Sequence, residues 1–120
     1  MTQIHSTGQL GETLAVQFLE KQGVLIVTRN FRCKLGEIDI IAQDKDTVCF
    51  IEVRTRDKDF AEAFESVSFF KQRKLIKAAL YFAKMKNLND AKMRFDVIAV
   101  NLKKPQGEQI QIIKNAFDAQ

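Results

Sequence analysis

The sequence predicts an α/β fold in which helices flank a central mixed sheet of about five strands. Two segments show the apolar spacing of amphipathic helices, and five short apolar runs rich in β-branched residues are typical of strands. In chain order these elements read α-β-β-β-α-β-β. With 120 residues, of which 46% are apolar and 28% charged, the chain forms one domain over residues 1–120 with short ends and is too short for two.

The first helix is expected over residues 8–22, with Thr7 as its N-cap. Glu12 projects into the apolar face of this helix instead of joining the polar side. It either interacts with the helix dipole or a backbone donor, or it belongs to a functional site. Gly8 and Gly11 leave room for another element to come close to it.

A first strand is expected over residues 24–31 because the run Val24–Thr28 is rich in β-branched side chains. Its far end is basic, with Arg29, Arg32 and Lys34 before the chain turns at Gly36.

Two adjacent apolar runs, residues 36–42 and 48–56, each carry acidic residues where a core strand should carry none. The polar residues 43–46 lie between them, so the pair is predicted to form a β-hairpin. Strict alternation on the first strand would place Glu37, Asp39 and Ile41 on one face and Ile38, Ile40 and Ala42 on the other.

On the second strand of the hairpin, alternation places Glu52 and Arg54 on the same face. Asp39 lies beside Glu52 if the hairpin register allows. Carboxylates on strands cost free energy unless they are compensated, and a cation is the commonest compensation.

Residues 57–65 show no convincing period and are expected to form a loop. A long helix then begins after Ser66 or Ser68 and ends near Asn87. Its predicted buried stripe consists of Leu75, Ile76, Ala79, Leu80, Phe82 and Ala83. Its opposite side is basic, with Arg73, Lys77 and Lys84 flanked by Lys71 and Lys74, a pattern that is also common on plain solvated faces. Two further strands are expected over residues 93–100 and 109–113.

The net charge of +4 and the isoelectric point near 9.2 favour anionic partners such as nucleic acid, although small proteins can be this basic without such a partner. Cys33, Cys49 and the single histidine, His5, cannot supply a four-ligand zinc site. Reduced thiols, the absence of a signal-peptide pattern and the absence of a long apolar run predict a cytoplasmic protein without a membrane span.

The misplaced acids can be read together as one site. Glu12, Asp39 and Glu52 supply carboxylates of the kind that Mg²⁺ or Mn²⁺ prefers. Such a cation activates water and neutralises charge on a phosphate, and Arg54 adds a positive charge beside it. The predicted mechanism is metal-assisted hydrolysis of a phosphodiester, with the basic residues holding the nucleic-acid backbone.

These residues resemble a known pattern. Asp39 followed at a distance by Glu52-Val53-Arg54 resembles the signature of the PD-(D/E)XK, restriction-endonuclease-like nucleases, and Glu12 is similar to the helical glutamate of their Holliday-junction-resolvase-like members. The whole chain resembles the YraN-like family of uncharacterised bacterial proteins. The matching stretches are Gly8–Glu12 with Ala15, Asn30–Arg32, Gly36–Ile41, Phe50–Arg56, Lys71–Leu75 and Arg94–Val97.

The resemblance implies a restriction-endonuclease-like core and a DNA endonuclease, with branched or flapped DNA as a candidate substrate. It implies that Asp39, Glu52, Arg54 and Glu12 are catalytic and that the three acids hold the metal. Residues expected to bind nucleic acid are Arg29, Arg32, Lys34, Arg56, Lys71, Arg73, Lys74 and Lys77.

The sequence departs from the nuclease pattern in two places. Arg54 stands where the signature has lysine, and Ile38 stands where it has proline before Asp39. Arginine stays protonated and cannot accept a proton, although it can stabilise charge or bind a phosphate. Lys71 could replace the lysine if it reaches the site. Glu37 is either an additional ligand or, as we favour, a solvated residue at the mouth of the hairpin.

Three functions therefore compete. The first is a metal-dependent DNA endonuclease, and the second is a nucleic-acid-binding module of the same fold without efficient chemistry. The third is an interaction protein in which the acids and Arg54 form a structural ion-pair network, which is disfavoured because three carboxylates face one arginine. A homodimer would suit a two-fold branched substrate, but no interface is evident in the sequence.

Overall fold

The structure, a computed structural model, describes residues 6–88 and 90–119, so that His5 lies outside the described residues. Helix α1 spans Thr7–Lys21 and is followed by strands β1, β2 and β3 over Leu25–Cys33, Gly36–Asp44 and Thr47–Thr55. Helices α2 and α3 span Phe60–Glu65 and Phe69–Met85, and strands β4 and β5 span Lys92–Val100 and Ile110–Ile113.

The five strands form one mixed sheet in the order β1-β2-β3-β4-β5. Neighbouring strands are antiparallel except β3 and β4, which pair in parallel across the α2–α3 connection. This confirms the expected α/β class and the central mixed sheet, and the arrangement is consistent with a nuclease-like core.

Each face of the sheet has its own apolar cluster. On one face, Ala15 and Leu19 of α1 pack with strand residues such as Ile51 and Ile98. On the other face, α3 packs against Phe50, whose ring lies 6.1 Å from that of Phe82 between centroids. Because β2 and β3 are covered on both faces, their central runs, residues 38–42 and 48–53, are apolar except at Asp39 and Glu52.

The first helix begins one residue earlier than predicted. Ser6, and not Thr7, is its N-cap, because the Ser6 hydroxyl accepts from the amide of Gln9 and the Gln9 side chain accepts from the amide of Ser6. Such a capping box satisfies two donors that would otherwise lack partners. Gly23 follows the helix with a φ of +81°, a conformation that favours glycine.

The segment predicted as a loop contains the short helix α2. Asp59 is its N-cap and accepts from the amide of Glu62. Six residues are too few to show a helical period, which explains why the sequence pattern missed it. Helix α3 begins after Ser68, one of the two predicted caps. Leu80, expected in the buried stripe, is 49% exposed.

The predicted alternation on β2 is wrong at Ile38. Ile40 and Ala42 pack on the α1 face as expected, but Ile38 packs with Ile41 on the α3 face. The pairing between β2 and β3 stops at Ile40, so the strand is irregular just where Asp39 lies. This irregularity matters for the candidate site.

None of the helices in the described part of the chain combines the length and the apolar character that a membrane crossing requires.

Candidate functional site

The site is centred on Asp39 at the point where the β2–β3 ladder ends. Its Oδ2 accepts a 2.8 Å hydrogen bond from the backbone amide of Val53. A side-chain oxygen thereby takes the place of a main-chain acceptor, which fixes the carboxylate of Asp39 against β3. Because only one of its two oxygens is used in this bond, the carboxylate keeps further acceptor capacity.

Glu52 lies next to Asp39, as the sequence predicted. Burial raises the pKa of Glu52 to about 8, and the negative charge of Asp39 and a hydrogen bond with it act in the same direction. The positive charges of Arg54 and Lys71 lower that pKa but do not cancel the effect. The two carboxyl groups therefore repel each other when both are ionised, which favours a proton or a cation between them.

Arg54 is held beside Glu52 on the same face of β3. Its Nε lies 3.4 Å from Oε2 of Glu52, and one of its terminal nitrogens donates to the carbonyl of Ser66 over 3.4 Å. The Nε–H is buried and has no hydrogen-bond acceptor of suitable angle among the described residues, so the contact with Glu52 is an ion pair without a hydrogen bond. The C-cap of α2 thus positions the guanidinium.

Glu12 reaches the same region from α1. Burial and the negative charge of Asp39 raise its pKa, while the positive charges of Arg29 and Arg32 lower it. A cavity of about 320 Å³ is lined by all three acids, Glu12, Asp39 and Glu52.

Gly11 allows α1 to approach β3 this closely. A Cβ at position 11 would collide with the hydroxyl of Thr55 and would lie 3.1 Å from its Cβ. The neighbouring Glu12 is thereby brought to the end of β3 that carries Glu52, where it lines a cavity with Glu52 and Asp39. Thr55 occupies the space that the sequence predicted beside Glu12.

A larger cavity of about 530 Å³ opens from the same acids towards α3. It is lined by Asp39, Glu52 and Arg54 together with Lys34, Lys71 and Lys74, and also by the β1–β2 turn and Phe70. The start of α3 does therefore reach the site. Lys71, considered from the sequence as a replacement for the missing lysine, is near enough to influence the pKa of Glu52.

The acids do not form a closed metal cage. Among residues 6–88 and 90–119, no three carboxylate, histidine or cysteine side chains converge closely enough to hold a metal ion. Asp39 and Glu52 are adjacent, and Glu12 lines the same cavity without completing a set of three ligands. Two carboxylates are nevertheless a donor set that suits Mg²⁺, which keeps several waters and commonly binds to one or two carboxylates and a substrate phosphate.

The basic residues expected to bind nucleic acid fall into three groups. Lys34, Lys71 and Lys74 line the larger cavity, and Arg56 lines the smaller one. Arg29 and Arg32 lie on β1, near enough to Glu12 to affect its pKa. Arg73 and Lys77 are exposed on α3 outside both cavities.

Glu37 behaves as the preferred interpretation predicted. It is exposed at the start of β2 and forms an ion pair with Arg32, whose Nε lies 3.6 Å from Oε1 of Glu37. It also borders the larger cavity. Its exposure and its partner distinguish it from the half-buried acids.

Sequence reasoning missed one buried charge network. Asp96 on β4 is fully buried, and Arg94 donates to both of its carboxylate oxygens over 2.9–3.1 Å. Arg94 also reaches Asp44, and the amide of Asn115 donates to Asp96 over 2.9 Å. Asp96 pairs with Ile51 of β3, the residue before Glu52, but its ion pair with Arg94 gives it a structural role. In the sequence, this network could have been recognised from an arginine and an aspartate two residues apart on a predicted strand.

Both cysteines are free thiols. Cys49 is buried, and this burial raises the pKa of its thiol to about 11. A thiol with so high a pKa is a poor nucleophile and a poor metal ligand at neutral pH. Cys33, which was also expected to be buried, is only partly buried and lines the larger cavity.

Several known proteins are similar to this chain over nearly its whole length. A UPF0102 protein of Syntrophus aciditrophicus is 44% identical over 119 residues, covering 98% of this chain and 93% of the relative. UPF0102 proteins of Geotalea daltonii and Clostridium botulinum are each 47% identical, over 112 and 113 residues, covering 92% of this chain and 88% and 92% of the relatives. The model of the uncharacterised protein family UPF0102 matches residues 11–100. The chain therefore belongs to this family, the one described above as YraN-like.

Proposed function

We propose that this protein is a Mg²⁺- or Mn²⁺-dependent DNA endonuclease that hydrolyses phosphodiester bonds. The observation that carries the proposal is the adjacency of Asp39 and Glu52, in which burial and like charge raise the pKa of Glu52 to about 8. A site with surplus negative charge beside lysines is suited to a divalent cation and a phosphate.

Asp39 and Glu52 would hold the cation, with Glu12 as a further acid across the smaller cavity. When bound, the cation would lower the pKa of a water molecule and offset negative charge on the phosphate. Its binding would also displace the proton from Glu52, because a metal ligand must be deprotonated.

The protein's own residues prepare the site for this chemistry. The amide of Val53 holds Asp39 in place, and Ser66 holds the guanidinium of Arg54 next to Glu52. Arg54 stays protonated, so its role is to stabilise negative charge that develops on the phosphate. Lys71 lines the same cavity and places a second positive charge beside the acids.

DNA is the partner that best fits the distribution of charge. Lys34, Lys71 and Lys74 border the cavity that contains the acids, and the chain carries a net charge of +4. We infer a cytoplasmic location as well, supported by the two free thiols. A branched substrate would suit a homodimer, which sedimentation with and without a four-way junction would detect.

Isothermal titration of Mg²⁺ and Mn²⁺ into the wild type and Asp39→Ala tests the metal site. We expect binding by the wild type, proton release at pH 7 detectable as a buffer-dependent heat, and loss of binding in Asp39→Ala. Binding that is absent, or that survives the substitution, would contradict the proposal.

Cleavage of junction, flap and single-stranded DNA with Mn²⁺ then tests the chemistry. Product from at least one of them, lost in Asp39→Ala, is the expected result.

A second candidate is a nucleic-acid-binding module without turnover. The geometry of Arg54 favours it, because the residue in the lysine position is protonated and already engaged by Glu52 and Ser66. Intact, salt-sensitive DNA binding without product from any substrate would support this second candidate over the first.

A further inference from the structure

Two consecutive phenylalanines at the start of α3 have exposed rings. Phe69 is 71% exposed and Phe70 is 66% exposed, although large apolar side chains are normally buried. Both are accompanied by cations, since the guanidinium carbon of Arg73 lies 5.7 Å from the ring centre of Phe69 and Nζ of Lys74 lies 4.9 Å from that of Phe70.

The two rings border different cavities. Phe70 lines the larger cavity, which also contains Asp39 and Glu52, whereas Phe69 lines a separate one with Phe117. The ring of Phe70 therefore shares one concave space with both basic and acidic side chains.

The β1–β2 turn forms another border of the larger cavity. Leu35, in this turn, is 46% exposed and lines the same cavity as Phe70. Gly36 keeps the turn close to α3, because a Cβ there would lie 3.0 Å from the carbonyl oxygen of Lys74. An aromatic ring and a leucine thus border a cavity of about 530 Å³, within the range of about 300–1,000 Å³ that is typical of ligand sites.

An unpaired nucleotide combines the features that this cavity would recognise. A base exposes an aromatic face only where it is unstacked, and base–aromatic stacking is the usual device for binding single strands. Lys71 and Lys74, beside the ring, are suited to the flanking phosphates. A membrane surface fits less well, because the ring borders a concave space that also holds carboxyl groups.

We propose that an unpaired DNA base stacks on Phe70, so that the cavity accepts a single-stranded or flapped segment and excludes continuous duplex. The inference rests on the proposed function, since it places this base beside the acids that would carry out hydrolysis. It adds a substrate class to that function.

Tryptophan fluorescence tests the stacking directly, because the chain contains no tryptophan. In EDTA, we expect a single-stranded oligonucleotide to quench the fluorescence of the Phe70→Trp variant. Phe69→Trp is the matched control and should respond weakly, and a duplex of the same sequence should leave both unchanged. Equal quenching at the two positions, or none at position 70, would overturn the proposal.

Affinity measurements give a second test that does not depend on cleavage. Phe70→Ala should weaken single-strand binding in EDTA by about 5- to 140-fold, the range expected from the loss of one stacked base. Phe70→Tyr should retain binding, and Phe69→Ala should change it by less than about twofold. The salt dependence should stay the same in all of them because no charge is altered. An unchanged affinity in Phe70→Ala would reject the proposal.

The two proposals can fail separately. Metal binding by Phe70→Ala should equal that of the wild type, so a loss of stacking leaves the hydrolytic proposal intact. Absence of metal binding in the wild type, together with quenching at position 70, would reject hydrolysis and retain stacking. A blue shift of the Phe70→Trp emission with anionic phospholipid vesicles, without quenching by the oligonucleotide, would overturn stacking in favour of a membrane surface.

Discussion

The amide of Val53 donates a 2.8 Å hydrogen bond to the carboxylate of Asp39, at the position where pairing between β2 and β3 has ended. The bond substitutes for a ladder contact and aims the side chain at the neighbouring strand. Asp39 therefore has a structural role beside its proposed chemical one, and substitutions can separate them.

Asp39→Asn and Asp39→Ala should differ in stability while sharing the loss of metal binding. Both substitutions remove the negative charge that repels Glu52. Asparagine keeps an oxygen that can accept a hydrogen bond from the amide of Val53, and alanine does not. We expect Asp39→Asn to be more stable than Asp39→Ala by about 1–2 kcal/mol in urea unfolding. Equal stabilities would show that the hydrogen bond contributes little, and retained metal binding by either variant would contradict the proposed ligand.

Glu52 should make the stability of the metal-free protein depend on pH. Its pKa in the folded state is raised to about 8, above the ordinary value of 4.5, so the folded state holds a proton that the unfolded state has released between these values. The contribution of Glu52 to the free energy of unfolding is fully present below pH 4.5. It is lost as the pH rises from 4.5 to 8, by up to about 1.4 kcal/mol per pH unit.

Unfolding of the wild type and Glu52→Gln in EDTA from pH 4 to 9 measures this effect. The wild type should lose stability relative to the variant as the pH rises through that window. A constant difference between the two proteins would rule out the shifted pKa.

Arg54→Lys and Arg54→Gln distinguish the roles open to this residue. If its charge stabilises the phosphate, Arg54→Lys should keep cleavage within about tenfold of the wild type and Arg54→Gln should lose about 100-fold or more. Single-turnover cleavage with Mn²⁺ measures both. Activity that appears only in Arg54→Lys would instead identify the wild type as a binding module that lacks the needed side chain.

The exposed cations of α3 should bind the DNA backbone. Arg73→Glu with Lys77→Glu is expected to weaken DNA binding and to flatten its salt dependence, since each lost phosphate contact lowers the slope of log K against log salt by about 0.7–0.9. Lys84→Glu with Lys86→Glu, at the other end of the helix, makes the same change in net charge. Equal effects of both pairs would indicate a general electrostatic influence, and an unchanged slope would assign Arg73 and Lys77 to solvent.

Gly11 should be intolerant of a side chain. Gly11→Ala forces its Cβ against Thr55 and should cost about 1–3 kcal/mol of stability. Thr55→Ala in the same chain should recover part of this loss. Gly8→Ala is the control, because its Cβ would meet no atom closer than 3.8 Å. Thermal unfolding of the wild type, Gly11→Ala, Thr55→Ala, their double variant and Gly8→Ala would measure the coupling.

Much of the site could be predicted because strands and helices have fixed periods. Glu52 and Arg54 share a face since they are two residues apart on a regular strand, and Glu12 falls within the apolar side of a regular helix. They come close together because the first helix packs on the sheet that contains the hairpin.

The errors arose where the local pattern is broken or depends on distant residues. Ile38 changes face because the ladder ends beside Asp39, a tertiary feature that alternation cannot encode. Helix α2 is too short for a period, and the buried pair of Arg94 and Asp96 depends on Asp44 and Asn115 from other parts of the chain. Phe70 was overlooked because its exposure is decided by where α3 begins relative to the sheet.

The two central acids lie on one hairpin, and the residues joined by the Asp39–Val53 bond are 14 apart in sequence. Their proximity therefore depends on local contacts, which form with little loss of chain entropy. Lys71 approaches them only when α3 has packed on β2, which brings together residues farther apart in the chain. During folding, like charges would come together before the lysine that moderates them arrives. Conditions that loosen the crossover would expose an intact acidic hairpin before they separated its carboxylates.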